Sequence, residues 1–224
     1  MCDVPRAATV RERAREYAIM GSAMTERSRA PSVPADGDAA LDIEGIPCLG
    51  GLLLTGGVGA GKTSLAIEVG ELLRQQRVEH AVVDLDWLAW CVPSFDDQAQ
   101  KQRRRLLAEN LAAIWQSYKR HGIRRVVLAG SIVNAEHLRA VRRCLDEMPI
   151  RVIRIRAPLE LVARRLQSRD PASKTIGSFD DLRSFDELLT AAAVESEIVD
   201  NIDPNLARTA HQIATICGWA PRAE

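Results

Sequence analysis

Residues 52–70, LLLTGGVGAGKTSLAIEVG, place Gly56, Gly57, Gly59 and Gly61 within six residues and follow them at once with Lys62 and Thr63. Glycine loses more backbone freedom on ordering than any other residue, so four of them in one turn need a compensating interaction. The run that leads in, GLLLTG (51–56), is short and apolar, as in a strand buried inside a parallel sheet. The run that leads out has apolar residues at 65, 66, 69, 72 and 73, which is helical spacing. The segment therefore reads as strand, tight glycine turn and helix, and the rest of the chain must supply the sheet that buries the strand.

Four further strands are legible. HAVVDLD (80–86) is apolar and ends in carboxylates, RRVVLAGS (124–131) is a third strand, IRVIRIRAP (150–158) alternates apolar residues with arginine, and SEIVDN (196–201) is short. Between them lie helical stretches: 100–122, closed by Gly122; 134–148, with Asn134 as N-cap; 159–170; 183–195; and 204–218, with Pro204 near its first turn. Strands alternating with helices imply βαβ units and a parallel sheet with helices on both faces. The expectation is one α/β domain over 46–220. Residues 1–45, rich in arginine and then in turn formers, read as a loosely ordered extension.

Thirty basic residues balance thirty acidic ones, so a nucleic-acid partner is not expected and no global attraction to an anionic surface exists. The five cysteines, at 2, 48, 91, 144 and 217, show no CxxC spacing, and the four histidines show no HExxH spacing. That fits reduced thiols in a cytoplasmic protein and gives no metal site built from histidine. No apolar run reaches the length of a membrane span. The oligomeric state is not legible.

Gly56-Gly57-Val58-Gly59-Ala60-Gly61-Lys62-Thr63 matches GxxxxGK[ST], the phosphate-binding loop, and Ser64 follows it into the helix. Glycines let successive N–H groups turn inward toward a phosphate chain, and the helix N-terminus adds partial positive charge. Lys62 reaches the β and γ oxygens, and Thr63 offers a hydroxyl to Mg²⁺. Phosphate binding thus offsets the glycine cost. Asp84 and Asp86 lie near the carboxyl ends of the strands, where ligands bind in open α/β sheets. The third strand ends Ala129-Gly130-Ser131, without the carboxylate that many motor ATPases carry there, and no Asn-Lys-x-Asp guanine signature occurs.

These points, GGVGAGKTS, the DLD after the second strand, RAPLELVARRLQSRD after the fourth and IVDN before the last helix, resemble the small-molecule P-loop kinases such as shikimate, gluconate and adenylylsulfate kinases, over about residues 50–218. The resemblance implies a three-layer P-loop NTPase fold with a five-stranded parallel sheet in the order 2-3-1-4-5. It implies ATP- and Mg²⁺-dependent transfer of the γ-phosphoryl group to a small-molecule hydroxyl, in the manner of an adenylylsulfate kinase. Gly56 to Ser64 would hold the nucleotide, Thr63 and Asp84 the Mg²⁺, and Lys62, Asp86, Arg165 and Arg169 would be catalytic. Asp86 would take the acceptor's proton, and the two arginines would come onto the phosphates with a lid at 170–181, where Lys174 could also reach. The acceptor motifs of those kinases are not recognisable, so the acceptor stays open. Trp87, Trp90, Arg103 to Arg105, Ser131 and Asn134 are candidate acceptor contacts, each with a plain packing, surface or capping role beside it. Two other functions stand alongside: an ATPase or nucleotide-sensing regulator without an acceptor, and a nucleotide or nucleic-acid-end kinase.

Overall fold

A computed structural model describes residues 50–90, 97–169 and 179–220, with the backbone alone for 97–101 and 169. The proposed extension at 1–45, Lys174 and most of the proposed lid lie outside the described residues. The elements are β1 (Gly51–Gly56), α1 (Lys62–Gln75), β2 (Ala81–Asp84), α2 (Leu85–Leu88), α3 (Asp97–Arg120), β3 (Val126–Ala129), α4 (Ala135–Cys144), β4 (Ile150–Arg156), α5 (Leu159–Arg169), α6 (Phe179–Ala192), β5 (Glu197–Asp200) and α7 (Leu206–Ile216).

All five strands are parallel, in the order β2-β3-β1-β4-β5, as expected. The glycine-run strand is the middle one. Leu54 is in register with Ala129 of β3 and Ile153 of β4, and Gly56 with Ile155, so the chain leaves the sheet centre at its carboxyl edge. Every residue of β1 is buried. Its side chains alternate between two cores, as strand pleating demands. Leu52 and Leu54 pack with Leu65, Val69 and Leu73 of α1 and Ile213 of α7 on one face. Leu53 packs with Leu111 and Trp115 of α3 and Leu138 and Val141 of α4 on the other. Burial of each leucine contributes about 1.5–3 kcal/mol, and the three-layer form follows from both faces being apolar. A smaller cluster of Val162, Leu182, Phe185 and Leu189 seats α5 and α6 against the sheet's carboxyl end.

Several helix boundaries differ from the sequence reading: α3 starts at Asp97 rather than 100, and α4 ends at Cys144 rather than 148. Helix α6 starts at Phe179 rather than 183, because Asp180 and Asp181 stabilise its first turn. β2 runs to Asp84, and a four-residue helix follows at once, so Asp86 sits in a helical first turn.

The alternating arginines of β4 separate by burial. Arg154 is buried beneath α6, where Nη2 donates to Asp186 Oδ1 at 2.7 Å and Nη1 to Thr190 Oγ1 at 2.9 Å, with Glu195 at 3.5 Å. Arg156 is half-exposed and grips Asp200 of β5 through two bonds, at 2.7 and 3.1 Å. Removing one partner of a buried ion pair costs about 3–5 kcal/mol, whereas an exposed pair is worth about 0–1 kcal/mol. Arg154→Ala is therefore expected to lower the urea unfolding free energy by about 3 kcal/mol or more, and Arg156→Ala by less than about 1 kcal/mol, measured side by side by circular dichroism.

Candidate functional site

The glycine turn is held from outside by the two strands that flank it and by β5. At Gly61 the backbone has φ +99°, and an added Cβ would lie 2.3 Å from Asn201 Nδ2, so only glycine fits. Asn201, the residue after β5, is buried; its Nδ2 donates to Ala60 O at 2.8 Å. Arg165 of α5 completes this clasp, with Nη2 donating to Asn201 O at 3.0 Å and Nη1 to Ala60 O at 3.5 Å. Burial lowers the pKa of Arg165 from its ordinary value, far above neutrality, so the guanidinium stays charged beside the loop. Asn201 appears in the sequence only as the end of IVDN, and its spacing from the loop gave no hint of this contact.

On the other side Ser131 Oγ donates to Gly56 O at 2.8 Å, and Thr55 Oγ1 accepts from Ile132 N at 2.9 Å. Ser131 thus ties the start of the loop to the end of β3. Lys62 opens α1 and is largely buried; its Nζ arches back to Gly57 O at 2.9 Å, so the ammonium lies over the mouth of the loop. Val58 and Gly59 are partly open, and Ser64 is exposed on the first turn of the helix. The N–H groups at the start of α1 have no carbonyl four residues earlier within the helix, which leaves that end electropositive.

Asp84 joins the loop to β2. Its Oδ2 accepts from Thr63 Oγ1 at 2.6 Å, and its Oδ1 caps α2 by accepting from Asp86 N at 2.9 Å. Three sequence-selected residues, Thr63, Asp84 and Asp86, are therefore brought into one hydrogen-bonded string at the carboxyl edge of β1 and β2. Asp86 is half-buried, and the exposed Trp87 and Trp90 follow it, their rings stacked with centroids 5.6 Å apart. Arg105 is turned outward to Glu109 at 2.7 Å, and Asn134 caps α4 through His137 N at 2.8 Å, so both take the plainer of their two roles. The side chain of Arg169 lies outside the described residues.

Two polar residues lie deeper. Arg104 of α3 and His137 of α4 are 5% and 3% exposed. Neither ring nitrogen of His137 has a hydrogen-bond partner. Burial, with the charge of Arg104, outweighs the carboxylate of Asp86 and brings the His137 pKa down to about 4. The imidazole is neutral at pH 7. The sequence reading left it as a bland histidine, although it shares the buried face of α4 with Leu138 and Val141. Among the described residues no group of three His, Cys, Asp or Glu side chains could hold a metal, and no helix is long and apolar enough to cross a membrane.

β1, the GxxxxGK[ST] loop and α1 form a P-loop unit at the centre of a five-stranded parallel sheet. No protein-family model and no curated protein sequence matches the chain. Solved structures do. A gluconokinase from Sinorhizobium meliloti 1021 has 18% sequence identity and a TM-score of 0.50, with 75% of this chain matched to 94% of that one. The tunicamycin resistance protein of Deinococcus radiodurans has 18% identity and a TM-score of 0.57, over 77% of this chain and 99% of that one. A shikimate kinase from Acinetobacter baumannii in complex with shikimate has 18% identity and a TM-score of 0.49, over 75% and 92%. At these identities the likeness is one of fold.

The buried imidazole sets an acid limit on stability. Its folded pKa of about 4 lies below the unfolded value near 6.5, so only the unfolded chain takes up the proton between them. The contribution is complete above pH 6.5 and is lost as the pH falls toward 4, by about 3 kcal/mol in all. Urea unfolding at pH 7 and pH 5 is expected to show about 2 kcal/mol more loss for the native chain than for His137→Leu.

Proposed function

We propose that this protein transfers the γ-phosphoryl group of ATP to a hydroxyl of a small molecule. The observation that carries the reading is the string Thr63–Asp84–Asp86, in which the Asp84 carboxylate ties the glycine loop's Thr63 hydroxyl to the backbone N–H of Asp86. The amides of 57–63, apart from Ala60 N, which donates to Gly57 O at 3.3 Å, and Lys62 hold the β and γ phosphates in this reading. Thr63 and Asp84 offer the Mg²⁺ one hydroxyl and one carboxylate, a hard-oxygen set that suits an ion shared with phosphates and water rather than caged by protein. When bound, Mg²⁺ neutralises charge on the bridging phosphate oxygens.

The remaining steps belong to the chain's own residues. Asp86 accepts the proton of the acceptor hydroxyl as the acceptor oxygen bonds to phosphorus and the bond to the ADP oxygen breaks. Arg165, charged and fixed against Ala60, adds positive potential at the loop, and Arg169 is assigned the same charge-stabilising role. Positioning and charge account for most of the rate in such transfers. The fold shared with the gluconokinase structure supports the phosphotransferase reading without naming an acceptor. A hydrolase without an acceptor is less well served: at the end of β3, where motor ATPases place a carboxylate, Ser131 is turned inward onto Gly56 O.

The test is transfer from labelled ATP with Mg²⁺ to a panel of hydroxylated metabolites. Lys62→Ala is expected to reduce transfer by at least about 100-fold. Asp86→Asn is expected to retain ATP affinity by calorimetry and lose transfer by about 100-fold or more. Unchanged turnover in Asp86→Asn removes the proposed base, and absence of any heat with Mg²⁺ and ATP removes the whole reading.

A further inference from the structure

A neutral imidazole, nine-tenths buried and with both nitrogens unbonded, is costly in an apolar core, and such a group calls for a reason. Its surroundings supply one. Leu85 of α2, Leu107 of α3 and Leu138 of α4 pack in one core, which brings Asp86, Arg104 and His137 to neighbouring positions, and that carboxylate and guanidinium are the charges that bear on the ring. A neutral imidazole has one N–H donor and one lone-pair acceptor. The donor suits a carboxylate and the acceptor suits a guanidinium. An imidazolium, with two donors, would suit only the carboxylate. Burial, with the charge of Arg104 beside it, therefore keeps the ring in the one protonation state that can bridge the two ions. A carboxylate accepts about four bonds and a guanidinium donates five, so each has room for the ring beside its other contacts.

We infer that His137 is a positioning residue for Asp86: its N–H donates to the Asp86 carboxylate, its other nitrogen accepts from Arg104, and the three form an anion–imidazole–cation string when the site is occupied. The inference rests on Asp86 acting as the base proposed above. Hydrogen bonds between catalytic groups are often loose in an unliganded protein and tighten in the reactive complex. The backbone is already set for this, because the side chain of Asn134 caps α4 on His137 N and the carboxylate of Asp84 caps α2 on Asp86 N. His137 and Asp86 thus both stand on helix starts that are pinned by a neighbouring side chain. The string would turn the carboxylate's free lone pair toward the acceptor hydroxyl and keep it from rotating away.

Kinetics and a spectroscopic readout test this together. In His137→Leu, kcat is expected to fall by about 10- to 100-fold with the KM for ATP unchanged. His137→Gln, whose amide keeps one donor and one acceptor, is expected to recover much of the loss. Thermal unfolding should show His137→Leu at least as stable as the native chain, since it removes two unbonded polar atoms from an apolar setting. Native turnover in His137→Leu, a glutamine variant no better than leucine, or a marked loss of stability in His137→Leu would each overturn the inference. The spectroscopic arm needs no turnover. With ¹⁵N-labelled histidine, Mg²⁺ and a non-hydrolysable ATP analogue, the His137 ring resonances are expected to report one neutral tautomer and to move in Asp86→Asn. Resonances indifferent to that substitution would sink the inference even if transfer is observed. Absence of transfer to every acceptor by the native chain would instead sink the phosphotransferase reading, with the ring's response to Asp86 judged on its own.

Discussion

At Gly56 the backbone turns out of the centre of the sheet with φ +145° and lies so close to β4 that an added Cβ would stand 2.3 Å from the carbonyl oxygen of Ile155. Much of the site follows from that contact. It allows β1 to pair with β4 up to its last residue, so the loop begins at the sheet's rim and not beyond it. It brings the Gly56 carbonyl within reach of Ser131 from β3. The glycines are thus needed to let the curl lie against its neighbours outside, and in the proposed function they also leave space for phosphates inside it.

The arrangement of charge across the carboxyl edge is asymmetric. Toward β4 and β5 the loop is gripped by Arg165 and Asn201, groups that hold backbone carbonyls and add positive potential. Toward β2 the loop meets carboxylates, first Asp84 through Thr63 and then Asp86. A phosphate chain lying along the loop would have cations over it and acids at its far end, which is the polarity that phosphoryl transfer to a neutral hydroxyl requires. A buried cation and a neutral imidazole, on two different helices, stand behind those acids.

The fold was legible because its signals are local. Short apolar runs followed by helical stripes and glycine or asparagine caps repeat along the chain, and five such strands leave few arrangements. The loop was legible because GxxxxGK[ST] is local too. Asn201 and His137 were not, because their meaning lies in contacts with residues 141 positions away in one case and on another helix in the other. The mixed character of β4 was half legible: alternation showed the arginines, but only α6 arriving over Arg154 separates a buried ion pair from the surface one at Arg156. Asp86 stands out in the sequence, but the helical turn that carries it does not, because it arises from the Asp84 cap, a side-chain bond two residues long that competes with strand extension.

The stacked pair of Trp87 and Trp90 has a use beyond packing. Two indoles 5.6 Å apart and inclined by 23° lie within the range where their excited states couple, and both are open to solvent. They stand on the turn that carries Asp86. Any rearrangement of that turn will alter their emission and their near-ultraviolet dichroism, so the protein contains its own optical gauge of events at the edge of β2, without an attached dye.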